Sequence, residues 1–172
     1  MIPAPAMNIS QRQRMAQRLS IDESARVVII AARFHGAIAR GLVRGAIQTL
    51  RRGGITQART RILWVPGAFE LPVVASRVAR AARPPQAIIA LGALIQGETP
   101  QYEVIAHAVA HGLTTVAVNT GIPVTCGVIV ASTPAQAKAR ADGSLSHRGA
   151  EAAAAALALM RLFKAPSPAR RI

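Results

Sequence analysis

The stretch "ALGALIQGETPQYEVIAHAV" (residues 90–109) runs from an apolar segment through Gly97 into Thr99-Pro100, then into an apolar-periodic segment. It reads as a strand, a tight loop and the first turns of a helix. Gly97 lets the backbone turn sharply or approach a ligand closely. Thr99 suits an N-cap and Pro100 the first helical position. The free N–H groups and the positive dipole end at such a helix start favour phosphate. The same residues also read as an ordinary capped helix start. No GxxxxGK[ST] occurs, so this is not a nucleotide P-loop, and Glu98 opposes a phosphate unless its side chain points away. Gln101, just inside the helix, donates and accepts hydrogen bonds but cannot titrate near neutral pH.

Other side chains invite chemistry less strongly. Glu103, His107 and His111 fall one helical turn apart, a spacing that could bind a metal. They border the apolar face of Ile105, Ala108, Val109 and Gly112, and a solvated or interface face is the preferred reading. Cys126 lies inside an apolar strand, where an inert buried thiol is expected. His147 stands at a helix start, to cap or cover it. No Ser/His/Asp or Cys/His spacing suggests a nucleophile with its base, and no metal site is expected.

The elements that must position these groups follow from periodicity. "RVVIIAAR" (26–33), "TRILWV" (60–65), "QAIIALGALI" (86–95) and "IPVTCGVIVA" (122–131) are short apolar runs, the pattern of strands buried in a parallel sheet. Between them lie helical patterns: 36–54, stopped by Gly53-Gly54; 68–82, with Pro72 tolerable only in the first turn; and Pro100 to about Val118. Helices over 133–141 and 147–163 follow the last strand, the former opened by a second Thr-Pro pair. Strands alternating with helices predict a three-layer α/β/α sandwich on a four-stranded parallel sheet. Ligands in such sheets bind at the carboxyl ends of the strands. Four loops converge there: "ARFHG", "VPGAFELP", "GALIQGETPQ" and "CGVIVAST".

The chain has 172 residues, 51% hydrophobic and 16% charged, enough for one domain with a core. The expected organisation is a basic extension over 1–24, one α/β domain over 25–164, and a basic tail over 165–172. No apolar run approaches the roughly 18 residues needed to span a membrane, and the first residues carry no secretory h-region. One cysteine excludes an intramolecular disulfide and fits a reducing cytoplasm. The net charge is +14, nearly all from arginine. Part of it sits in the tails (Arg12, Arg14, Arg18, Lys164, Arg170, Arg171) and part along helices. The few aromatic residues do not interleave with arginines as a base-stacking surface would. Incidental affinity for polyanions is expected rather than dedicated nucleic-acid binding.

Taken together, "ARFHGAIARGLVRGAIQTL", "VPGAFELPVVA", "ALGALIQGETPQYEVIAHAVAHGL", "TGIPVTCGVIVASTPAQAKARA" and "HRGAEAAAAALALMRLF" resemble the lumazine synthase family, in order over about residues 26–163. The resemblance implies a flavodoxin-like sandwich. It also implies condensation of 5-amino-6-(D-ribitylamino)uracil with 3,4-dihydroxy-2-butanone 4-phosphate, releasing phosphate and water, with no metal or organic cofactor. By motif position, Phe34 stacks on the pyrimidine, while Ala68, Phe69, Glu70, Ala93, Leu94 and Ile95 line the ribityl and pyrimidine site. Glu98 and Thr99 offer backbone N–H groups to the phosphate, and Arg140 is its cationic partner.

This chain departs from the family pattern in four places. The family usually has histidine, the presumed proton shuttle, where this chain has Gln101. His107 is six residues on, roughly 9 Å along the helix axis, too far to stand in. Cys126 occupies a place often held by a ring packing on the substrate from a neighbouring subunit. Ser144 stands where many members carry a lysine near the phosphate. His35 replaces a common asparagine or serine, lines the substrate site, and is a candidate substitute base. The resemblance further implies a homopentamer with its site between subunits, an icosahedral shell being permitted by the short 142–149 linker, and riboflavin synthase as a partner. The departures motivate an alternative: a catalytically weak homologue that binds flavin or lumazine, or forms shells.

Overall fold

The computed structural model describes residues 21, 24–143 and 146–164. The proposed extension, the tail and Ser144 therefore lie outside the described residues, apart from Ile21, Ser24 and their junctions with the core.

Four parallel strands form one sheet: β1 (Val27–Ala32), β2 (Thr60–Val65), β3 (Ala87–Ile95) and β4 (Val124–Ala131), in the order β2-β1-β3-β4. Five helices connect or follow them: α1 (Gly36–Arg52), α2 (Leu71–Ala79), α3 (Gln101–Thr120), α4 (Pro134–Asp142) and α5 (Arg148–Lys164). Alternation along the strands builds two cores. Val27, Ile29 and Ala31 face one side with Leu42 and Leu50 of α1 and Ala153, Ala156 and Leu157 of α5. Val28, Ile30 and Ala32 face the other with Leu71 and Ala75 of α2 and Val109 and Leu113 of α3. The three-layer α/β/α sandwich expected from the sequence is thus present.

β1 and β3 occupy the middle of the sheet, and every residue of β1 is buried, as its unbroken apolar run requires. β4 is an edge strand, and this corrects one expectation. Its residues alternate between buried and accessible, so Cys126 is exposed rather than buried. The segment read as one helix over 68–82 is a single 3₁₀ turn, Ala68–Glu70, followed by the nine-residue α2 with Pro72 in its first turn. The two Thr-Pro pairs also differ. Thr133 caps α4, its hydroxyl accepting the Gln136 N–H at 3.2 Å, with Pro134 opening the helix. Thr99 makes no such bond: Pro100 is the capping residue of α3, its carbonyl accepting from Glu103 N at 3.0 Å, and Gln101 is the first helical residue.

Candidate functional site

In a sheet ordered β2-β1-β3-β4, successive connections from β1 leave in opposite directions, and a crevice opens between the carboxyl ends of β1 and β3. A cavity of about 380 Å³ lies at that switch point. Phe34 and His35 enter it from the end of β1, Gly67–Glu70 from the turn after β2, and Ala93–Ile95 from the end of β3. Gly97, Thr99, Gln101, Tyr102 and Ile105 close the remaining side from the loop and first turns of α3. The volume falls in the range of small-molecule sites.

Each wall has a local cause. Phe34 sits on the short link between β1 and α1, where no core is available to take its ring, and it is 80% exposed. Phe69, on the 3₁₀ turn, is 62% exposed. Two phenylalanine rings in water at one strand edge present apolar surface that a planar ligand would cover; burying such a ring fully is worth roughly 1.5–3 kcal/mol. The Phe34 and His35 rings meet edge to face, centroids 4.9 Å apart. The His35 carbonyl accepts the Ala39 N–H at 2.9 Å and so starts α1. Partial burial lowers the His35 pKa below its ordinary 6.5, so the imidazole is mainly neutral at pH 7. The Glu70 carboxylate accepts the Gly67 N–H at 2.7 Å, which fixes the turn after β2. At the start of α3, the Glu98 and Thr99 N–H groups find no acceptor among the described residues.

Ten of the thirteen residues singled out from the sequence thereby come to one crevice: Phe34, His35, Ala68, Phe69, Glu70, Ala93, Leu94, Ile95, Thr99 and Gln101. Three do not. Glu98 is exposed in the loop beside it and does not line it. Cys126 pairs with Ala90 on the neighbouring strand, three residues before Ala93, so it lies roughly 10 Å short of the crevice along the strand direction. Arg140 lines a second cavity, of about 310 Å³, beyond β4.

That second cavity is built from Ile129–Ala131 at the end of β4, Gln136 and Arg140 of α4, and Arg148 of α5. Arg140 Nη1 donates to Ser146 Oγ at 2.8 Å, and Arg148 pairs with Glu151 at 2.9 Å. The Ser146 hydroxyl, then the Arg148 and Arg140 guanidiniums, hold the Glu151 pKa below its ordinary value. Arg148 was not singled out from the sequence, because its proximity to Arg140 depends on how α4 and α5 fold back. His147 precedes α5 and its carbonyl accepts the Glu151 N–H at 3.0 Å; its ring covers Gly45 of α1, where any side chain would collide with it. His107 and His111 are both exposed on α3, and no three His, Cys, Asp or Glu side chains gather among the described residues. Glu103 instead accepts the Tyr102 hydroxyl at 2.8 Å.

The fold and crevice define a class, a flavodoxin-like α/β sandwich with a ligand-sized cleft at the topological switch point. Comparison with known proteins narrows it. A family model for 6,7-dimethyl-8-ribityllumazine synthase matches residues 24–164. A protein of Thermus thermophilus named 6,7-dimethyl-8-ribityllumazine synthase is 40% identical over 146 residues, 84% of this chain and 92% of its own length. Similar proteins of the same name from Stenotrophomonas maltophilia and Xanthomonas campestris are 43% and 44% identical, covering 85% and 82% of this chain and 94% and 91% of their own lengths. The chain belongs to the lumazine synthase family.

Proposed function

We propose that this chain condenses 5-amino-6-(D-ribitylamino)uracil with 3,4-dihydroxy-2-butanone 4-phosphate to 6,7-dimethyl-8-ribityllumazine, as a transferase of riboflavin biosynthesis in the cytoplasm. One observation carries the reading. Four separate chain segments bring ten motif-matched residues onto one crevice of about 380 Å³. Phe34 and Phe69 offer faces for the pyrimidine. Backbone at Ala93–Ile95 offers polar groups to its edges. The unpaired N–H groups of Glu98 and Thr99, at the start of α3, suit the butanone phosphate. Holding the two reactants together supplies most of the acceleration that such a condensation needs.

The amine of the uracil attacks the ketone of the butanone, water leaves and an imine forms. Phosphate then departs, and the second ring closes with loss of a second water. Protons must move at each stage, and Gln101 cannot carry them. Of the titratable side chains on the crevice, Glu70 is engaged by Gly67 N–H, and Tyr102, bonded to Glu103, has its pKa raised. His35 is the remaining one, neutral near pH 7 and able to accept a proton.

Arg140 would complete the phosphate site from a neighbouring copy in a homopentamer. Supporting this are its separate cavity beyond β4 and the exposed valines of that flank: Val104 and Val118 on α3, and Val130 on β4, from 50% to 76% accessible. Cys126 would then approach the neighbour's crevice. Closed icosahedral shells and association with riboflavin synthase remain compatible with this arrangement. The test is stoichiometry: purified protein given both substrates should release one phosphate per lumazine formed. Binding of lumazine without its formation would instead support a non-catalytic ligand carrier.

A further inference from the structure

Arg140 lies near the end of α4 and Arg148 opens α5, so the cavity they share depends on how the chain returns between the two helices. Close approaches to α1 fix that return. A side chain at Gly41 would strike the Ala141 carbonyl at the end of α4, and one at Gly149 would strike the Leu42 carbonyl. Between these two contacts the His147 ring fills the space over Gly45. A single methyl there would collide with Cε1, Nε2 and Nδ1 of the ring. Gly143, the left-handed residue that ends α4 at φ 90°, lies beside the same ring.

The ring serves there by its shape. Its Nδ1 is buried and meets no hydrogen-bond partner among the described residues. An unpaired buried nitrogen costs stability, so packing and not hydrogen bonding keeps the ring in place. The residues on either side of it face the cavity. Ser146, just before it, accepts Arg140 Nη1 at 2.8 Å and is itself hydrogen-bonded to the Glu151 carboxylate. Arg148, just after it, pairs with the same carboxylate at 2.9 Å. The His147 carbonyl accepts the Glu151 N–H at 3.0 Å. Ser146 is exposed, so its place is set by the anchored residue that follows it.

We propose that His147 is a positioning residue for phosphate: seated over Gly45, it places Ser146, and Ser146 keeps the Arg140 guanidinium on the cavity at the end of β4. The inference rests on the function proposed above, in which Arg140 meets the butanone phosphate. A guanidinium presents its donors as a rigid fork, so its worth to a phosphate depends on its orientation. An arginine released from Ser146 regains rotamers that binding must again restrict. A misplacement of about 1 Å costs about 10²-fold, and loosening one phosphate contact is expected to cost about tenfold.

The test combines steady-state kinetics, both substrates varied in turn, with calorimetric titration of inorganic phosphate, all on the full-length protein. His147→Ala should raise KM for the butanone phosphate about tenfold, keep the uracil KM within about twofold, and weaken inorganic phosphate by a similar factor. Gly45→Ala/His147→Ala puts a methyl where the ring stood, and so keeps the fold while leaving Ser146 unanchored; it should show the same KM pattern. Ser146→Ala cuts the link to Arg140 with the ring still seated, and should show it too. In an Arg140→Ala background none of these substitutions should raise KM further, because each acts through Arg140. Gly45→Ala alone should lower the urea midpoint in wild type but not in His147→Ala, where the ring it strikes is gone. With lumazine still formed, an unchanged butanone phosphate KM in the His147 variants, an equal rise for both substrates, or a full further rise on top of Arg140→Ala would overturn the proposal alone. A wild-type chain that neither forms lumazine nor binds phosphate through Arg140 would overturn it together with the function it rests on.

Discussion

His35 supplies the sharpest prediction. Replacing it with asparagine should leave the fold intact, because its structural duty is a backbone carbonyl bonded to Ala39 N at 2.9 Å, and asparagine starts helices well. The cost should fall on proton transfer. General acid–base assistance is worth about 10²–10⁴-fold in rate, or about 2.7–5.5 kcal/mol of barrier. His35 is only partly buried and stands on an open crevice, so the lower end, a loss of about 10²-fold in kcat, is expected for His35→Asn. The pH dependence follows from the sign of the shift. Burial lowers the His35 pKa below 6.5, so wild-type kcat/KM should hold through neutrality and fall only as pH drops below 6.5. That acidic limb should vanish in His35→Asn. Gln101→His, on the same crevice, should restore rate in the His35→Asn background. The assay is lumazine absorbance with both substrates across pH 5–9. A His35→Asn enzyme within about twofold of wild type, with the acidic limb unchanged, would refute the assignment.

Further outcomes follow from the same geometry. Arg140→Ala should raise KM for the butanone phosphate at least about tenfold while leaving the uracil KM nearly unchanged, since a charge-assisted phosphate contact is lost. Mixed assemblies of Arg140→Ala with a Phe34→Ala variant, prepared by co-expression, should be more active at low butanone phosphate than either variant alone; no gain would place both residues in one subunit's site. Gly149→Ala should shift the urea midpoint markedly, by about 1–3 kcal/mol or more, because a methyl there meets the Leu42 carbonyl of α1. Thr133→Ala should lose about 1 kcal/mol in the same measurement, through the missing bond to Gln136 N–H.

Local pattern carried much of this architecture. β1 and β3 were legible because strands in the middle of a parallel sheet are apolar on both faces, and the helices because their apolar stripes repeat at helical spacing. What pattern does not encode is strand order. β4 reads as apolar as β3, yet stands at the sheet edge, and that alone turns Cys126 outward. Thr99-Pro100 and Thr133-Pro134 are the same dipeptide in sequence. Only the second forms a side-chain cap, because the chain leaving Gly97 enters α3 one residue later than the motif suggests. Within the site, Phe34, Phe69 and Gln101 were reachable from family motifs. Arg148 was not, since its approach to Arg140 depends on how the consecutive helices α4 and α5 fold back on one another.

The most direct test of the central claim is the rate of lumazine formation by the purified wild-type chain at pH 7, set against the same mixture without protein. The account predicts a saturable acceleration well above the uncatalysed condensation, lowered by Phe34→Ala. A rate equal to the uncatalysed one at every substrate concentration would contradict it.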